Sequence, residues 1–152
     1  MYRKFLVEPI LVLKSAAIMF LAPVPLLLAV LLGVGVAQFL ATGDVSVAQE
    51  RIEAFRHSPA NVWLSYAAYS VAAVVVGYRL AARLRVAAIP HIWAAAALAM
   101  FVHVSLHAAS DATYIGVIAA LKYLQLPVAV VVAAFAGFHT CCWHRWGVFL
   151  KR

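Results

Sequence analysis

Charge is what this chain has least of. Asp, Glu, Lys and Arg make up 11% of its 152 residues, against about a quarter in an ordinary soluble domain. Five residues are acidic, and none forms a carboxylate pair inside an apolar run. The two cysteines are adjacent, Cys141 and Cys142, which excludes a disulfide-framework scaffold. There is no Gly-rich phosphate loop, no H-E-x-x-H pair and no nucleophile elbow. Nucleotide-binding and TIM-type enzymes are thereby excluded, and the chain reads as a non-enzyme. It also lacks internal repeats and low-complexity linkers.

What it has in abundance is hydrocarbon: 67% of residues are hydrophobic and the mean hydropathy is +0.99. These residues fall in long runs rather than amphipathic stripes. A helical span needs about 20 mainly apolar residues to cross a core of about 30 Å. Four segments meet that length, roughly Ser15 to Leu40, Val62 to Ala82, His91 to Ala109 and Thr113 to His139. They are too long and too weakly alternating for barrel strands. The expectation is an all-α polytopic membrane protein, a single domain over 1–152 built as a four-helix bundle.

The net charge of +7 suggests nucleic-acid binding only until the charges are placed. Arg3, Lys4 and Lys14 precede the first span, Arg79, Arg83 and Arg85 separate the second from the third, and Arg145, Lys151 and Arg152 follow the fourth. The opposite side carries only Arg51 and Arg56, with Asp44, Glu50, Glu53 and Asp111. Basic flanks resist translocation, so both termini are expected in the cytoplasm, in a bacterial inner membrane. No nucleic-acid partner is implied. Trp63 and Tyr114 at one border, with Tyr78, Trp93, Trp143 and Trp146 at the other, fit interfacial belts. The run from Ser15 to Val34 is longer than a usual signal-peptide core, so a retained anchor is expected in place of cleavage after Gly35-Val36-Ala37.

Short connections make the second, third and fourth spans antiparallel neighbours in sequence order. The loop from Ala41 to Ala60 alone has room for structure. Ser46 to Gln49 matches a capping box, and Ala48, Ile52 and Phe55 recur at helical spacing. Either a short surface helix with its apolar face in lipid or a plain solvated loop satisfies that pattern. Small residues four apart, Ala73 and Gly77, Ala95 and Ala99, Ala133 and Gly137, permit close helix contact. Pro23 and Pro25 remove two amide donors in one turn and mark a bend in the first span; Pro127 marks another in the fourth.

Ionisable groups inside spans are functional candidates by default. His103, His107 and Asp111 lie at i, i+4 and i+8 on one helical face, with Lys122 and Gln125 at similar depth on the fourth span. Imidazoles and a carboxylate suit a divalent metal, but an ammonium beside them opposes a cation. An interhelical polar network is the plainer reading, with proton or anion handling as a third. The inner end of the fourth span holds His139, Cys141, Cys142 and His144, a set able to take a soft cation. Adjacent cysteines point about 100° apart on a helix, and the pair reads more simply as small hydrophobes. His91 and His139 near one edge suggest bis-axial haem ligation, although the first two spans contain no histidine. Cofactor identity is therefore left at none, metal or haem.

Without chemistry to assign, the expected role is an accessory, assembly or scaffold subunit of a transport or secretion complex, with the bilayer, other membrane proteins or further copies as partners. The alternatives are an oligomeric transporter or channel for a metal ion, proton or small ion, and a b-type haem protein.

Overall fold

The computed structural model describes residues 7–84, 87–110 and 117–149, with side chains over 7–84, 87–105 and 125–143. Every regular element among them is a helix: α1 (Pro9–Leu21), α2 (Pro23–Thr42), α3 (Val45–Arg56), α4 (Pro59–Leu84), α5 (Ala88–Ser110) and α6 (Val117–Phe149). Four segments are long and apolar enough to cross a membrane: Pro9–Thr42, Pro59–Leu84, Ala88–Ser105 and Gln125–Trp143. Each of the four expected spans overlaps one of these segments; residues 113–116 of the fourth lie outside the described residues.

The first run is not one rod. Its 34 residues would measure about 51 Å if straight, well beyond a bilayer core. It divides at Ala22, where Pro23 and Pro25 occupy the first turn of α2 and have no amide to offer the preceding turn. The chain stays helical through the bend, and the Ala22 N–H still reaches Ile18 O at 3.0 Å. The prolines set this break; Gly33 and Gly35 lie beyond it, within α2.

Below the bend, α1 joins α4, α5 and α6 in a four-helix core, and each brings the same stripe. Buried positions recur in steps of four and three: Val12, Ala16 and Met19 on α1; Tyr69, Ala73, Val76 and Leu80 on α4; Ala88, Ile92, Ala95 and Ala99 on α5; Val130, Ala134 and Cys141 on α6. That seven-residue period keeps one narrow seam facing its neighbours. Six of these fourteen seam residues are alanine, which lets helices in lipid associate through close packing.

The tightest contact is not between sequence neighbours. α4 packs most extensively on α6, and the two run parallel, Tyr66 lying beside Gln125 and Gly77 beside Ala134. A Cβ at Gly77 would overlap the Ala134 carbonyl, and one at Gly137 the Val74 carbonyl. Backbone meets backbone there, so the Ala73/Gly77 and Ala133/Gly137 spacings locate the closest crossing. The antiparallel contacts of α5 with α4 and α6 are smaller.

Above the bend, α2 pairs with α3. Gly43, at φ 69°, ends α2 in the left-handed region that only glycine enters without strain, and its N–H bonds Phe39 O at 2.7 Å. Asp44 then caps α3, its Oδ1 accepting from the Ser46 N–H and O–H, each at 2.7 Å. The cap thus falls two residues before the expected Ser46. A Gly-Asp pair closes one helix and opens the next, a combined signal stronger than the Ser-x-x-Gln match. The apolar face of α3 turns to α2 rather than to lipid: Ala48 is buried and Ile52 lies over Gly35. Ser58 reverses the chain into α4, its Oγ accepting from Asn61 N at 3.3 Å, with Pro59 at the first helical position.

Candidate functional site

α1 and α5 lie side by side in a fixed parallel register. The Glu8 backbone N–H donates to His91 Nε2 at 2.9 Å, 83 residues on. Twelve residues further along both helices, at the same offset, the rings of Phe20 and His103 meet edge to face at 6.5 Å. The separation of His91 and His103 is about 18 Å along α5. His103 therefore sits at the level of the proline bend, while His91 marks the opposite end, where Arg79 and Arg83 of α4 also lie.

His91 is 2% exposed and uses both ring nitrogens. With Nε2 accepting from Glu8, Nδ1 carries the proton and donates to Ala87 O at 2.8 Å. The ring is thereby neutral, and it ties the first turn of α1 to that of α5. Iron ligation needs one of those lone pairs. His139 is exposed on α6, its ring set against Phe138. This pair does not fit a haem, because the His91 arrangement leaves no nitrogen open to iron.

His103 is half-buried and meets a second ring, Tyr69 of α4, at 5.5 Å and 70°. One turn nearer the start of α4, Tyr66 donates its hydroxyl to Gln125 Oε1 at 3.2 Å. Two tyrosines of one helix thus engage two of the polar candidates, His103 on α5 and Gln125 on α6. His103 and Gln125 belong to an interhelical layer whose centre is α4. Nothing in the span pattern named α4 as that centre. The available signal was Tyr66 and Tyr69 at i and i+3, two phenols within a run otherwise rich in alanine and valine.

The remaining sequence candidates separate. His107, Asp111, Lys122 and His144 lie outside the residues whose side chains are described. Cys141 is buried in the α6 seam, and Cys142 beside it is half-buried. Among the described residues, no three His, Cys, Asp or Glu side chains converge on a point able to hold a metal ion. Also among them, every buried side-chain nitrogen or oxygen has a hydrogen-bond partner. Trp63, Trp93 and Trp143 are exposed, as interfacial anchors are, and Trp93 also packs edge to face on Phe135 at 5.5 Å.

Two lateral grooves open beside this layer. One, of about 410 Å³, runs between the α1–α2 bend and α4, and its walls, among them Ile18, Pro23, Leu26 and Val71, are apolar. The other, of about 660 Å³, lies where α4 begins, between its first two turns and α6. Comparison of the chain with known protein families, with curated proteins and with solved structures finds no match.

Proposed function

We propose that the protein is an accessory, assembly or scaffold subunit of a membrane complex, with α2 as its docking helix and the basic end of the bundle in the cytoplasm. The observation that carries this reading is the uneven burial of the spans. Only 11% of the first span's apolar window is buried within the chain, against 39% for α5. Beyond the bend α2 buries Pro23 and Gly35 alone. Leu28, Leu32, Val36 and Leu40 are each more than half exposed. A helix held to its own bundle at one end, with α3 packed against its far half, offers lipid or another helix a long apolar side. The basic residues cluster at one end of the spans, which supports the orientation.

Site-specific photo-crosslinking in native membranes tests it. A diazirine side chain at Leu32 or Leu40 is expected to give discrete protein adducts, while the same group at Phe101 or Val132, equally exposed on α5 and α6, gives lipid adducts only. Equal behaviour at all four positions overturns the assignment of α2.

A further inference from the structure

The groove at the start of α4 combines apolar and polar side chains. Its apolar lining includes Val62 and Ala129, and its polar lining His57, Trp63, Tyr66 and Gln125. The volume of about 660 Å³ falls within the roughly 300–1,000 Å³ of small-molecule sites. Two of these polar groups offer donors. Because the Tyr66 hydroxyl is given to Gln125 Oε1 at 3.2 Å, the acceptor end of that amide is engaged and its NH₂ end is the open one. The Trp63 indole N–H is a donor and never an acceptor. His57 lies 3.8 Å from Glu53, and the same carboxylate also holds Arg56 at 3.6 Å. The Trp63 and Gln125 donors thus call for acceptors and the apolar lining for hydrocarbon.

We propose that this groove binds a bilayer phospholipid, its phosphodiester at the Trp63 and Gln125 donors and an acyl chain along Val62 and Ala129. Position supports the match. The groove is walled by the first two turns of α4, whose Trp63 stands at the expected border of its span, and by Gln125 and Ala129 of α6, and Trp63 and Tyr66 form a tilted ring pair there with centroids 6.1 Å apart. Non-bridging phosphate oxygens are charged acceptors, which take stronger hydrogen bonds from neutral donors than a carbonyl does. A lipid without phosphate offers the same chains and lacks that anchor. The inference requires only that the spans lie in a bilayer, so it stands or falls apart from the docking role of α2.

Trp63 is a reporter already in the site. In the full chain carrying Trp93→Phe, Trp143→Phe and Trp146→Phe, its fluorescence is titrated in nanodiscs with chain-brominated phosphatidylglycerol and, separately, with chain-brominated diacylglycerol. Half-quenching is expected at a roughly fivefold lower mole fraction of the phospholipid, the size of one hydrogen bond gained. Gln125→Leu should erase the preference with helicity unchanged. Gln125→Glu preserves shape and the acceptor for Tyr66 but replaces the donors with a carboxylate, and it should reverse the preference. Equal quenching by the two lipids, or a preference that survives Gln125→Glu, overturns the proposal.

Discussion

In α4, Ala73 and Gly77 lie four residues apart on a face pressed so closely to α6 that no Cβ fits at Gly77. In α2, Gly33 and Ala37 have the same spacing, and nothing lies within 4 Å of where a Gly33 Cβ would be. Small-residue spacing permits close approach without supplying a partner. On α4 the pair sits within a continuous seam, Tyr69 through Leu80, and α6 presents a matching one, Val130 through Cys141. On α2 the prolines have already turned the helix away, and its only glycine contact is Gly35 against Ile52 of α3. The core is held by backbone proximity along matched repeats; the α2–α3 pair is held by a capped turn and by side chains, with Ala48 buried and Ile52 over Gly35.

Glycine substitution grades that difference directly. Gly77→Val and Gly137→Val force a side chain into a carbonyl, and each is expected to cost at least about 3 kcal/mol, the upper end of overpacking. At Gly35 the obstacle is the tip of the Ile52 side chain, which can rotate, so Gly35→Val should cost about 1 kcal/mol. Gly33→Val meets open space and should change stability by less than about 0.5 kcal/mol. Reversible unfolding in mixed micelles measures all four. A Gly33 effect as large as that of Gly77 would mean that α2 is as tightly packed as the core, and the contrast would fail.

A smaller effect tests whether α1 belongs to the core side of the contrast. His91→Phe keeps an aromatic ring but leaves the Glu8 N–H and the Ala87 carbonyl without their partner. The expected loss is about 1–3 kcal/mol, the range for buried groups left unpaired. Hydrogen exchange should quicken at Glu8 and the first turn of α1 and stay unchanged across α3. Equal quickening in α3 would show the two regions to be one cooperative unit.

Span number and rough borders were legible in the sequence because crossing a bilayer demands length and hydrophobicity, and both are additive along the chain. The proline bend was legible too, since a missing amide is a local property. Partnership was not. That α4 and α6, separated by α5, make the closest pair depends on matched seams, which become visible only when helices are set side by side. The constant 83-residue offset that brings Glu8 to His91 and Phe20 to His103 is of the same kind. The α3 cap was misread for a local reason. Ser46-x-x-Gln49 is a fair match to a capping box, but Asp44 follows a glycine in the left-handed region, and that geometry starts the helix two residues earlier. Among the polar candidates, the sequence singled out His103 and Gln125 by their cost in lipid, while the tyrosines that engage them were concealed by being half apolar.

The smallest expected effect concerns that cap, and it separates the two regions by pH. Hydrogen bonds from the Ser46 hydroxyl, and then from the Ser46 backbone N–H, favour the ionised carboxylate of Asp44 and hold its pKa below the ordinary aspartate value. A depressed folded-state pKa contributes stability that is whole above the unfolded value and is lost as pH falls through the folded one. The Asp44 cap is therefore intact at neutral pH and weakens only below about pH 4. Amide exchange at Ser46 and Val47, corrected for intrinsic rates, should quicken over that acid range, while protection across α4 and α6 holds. Asp44→Asn retains a capping oxygen that does not titrate, and it should make α3 protection independent of pH. If the α4–α6 amides lose protection in step with those of α3, acid is opening the whole fold, and the cap is not what distinguishes the two regions.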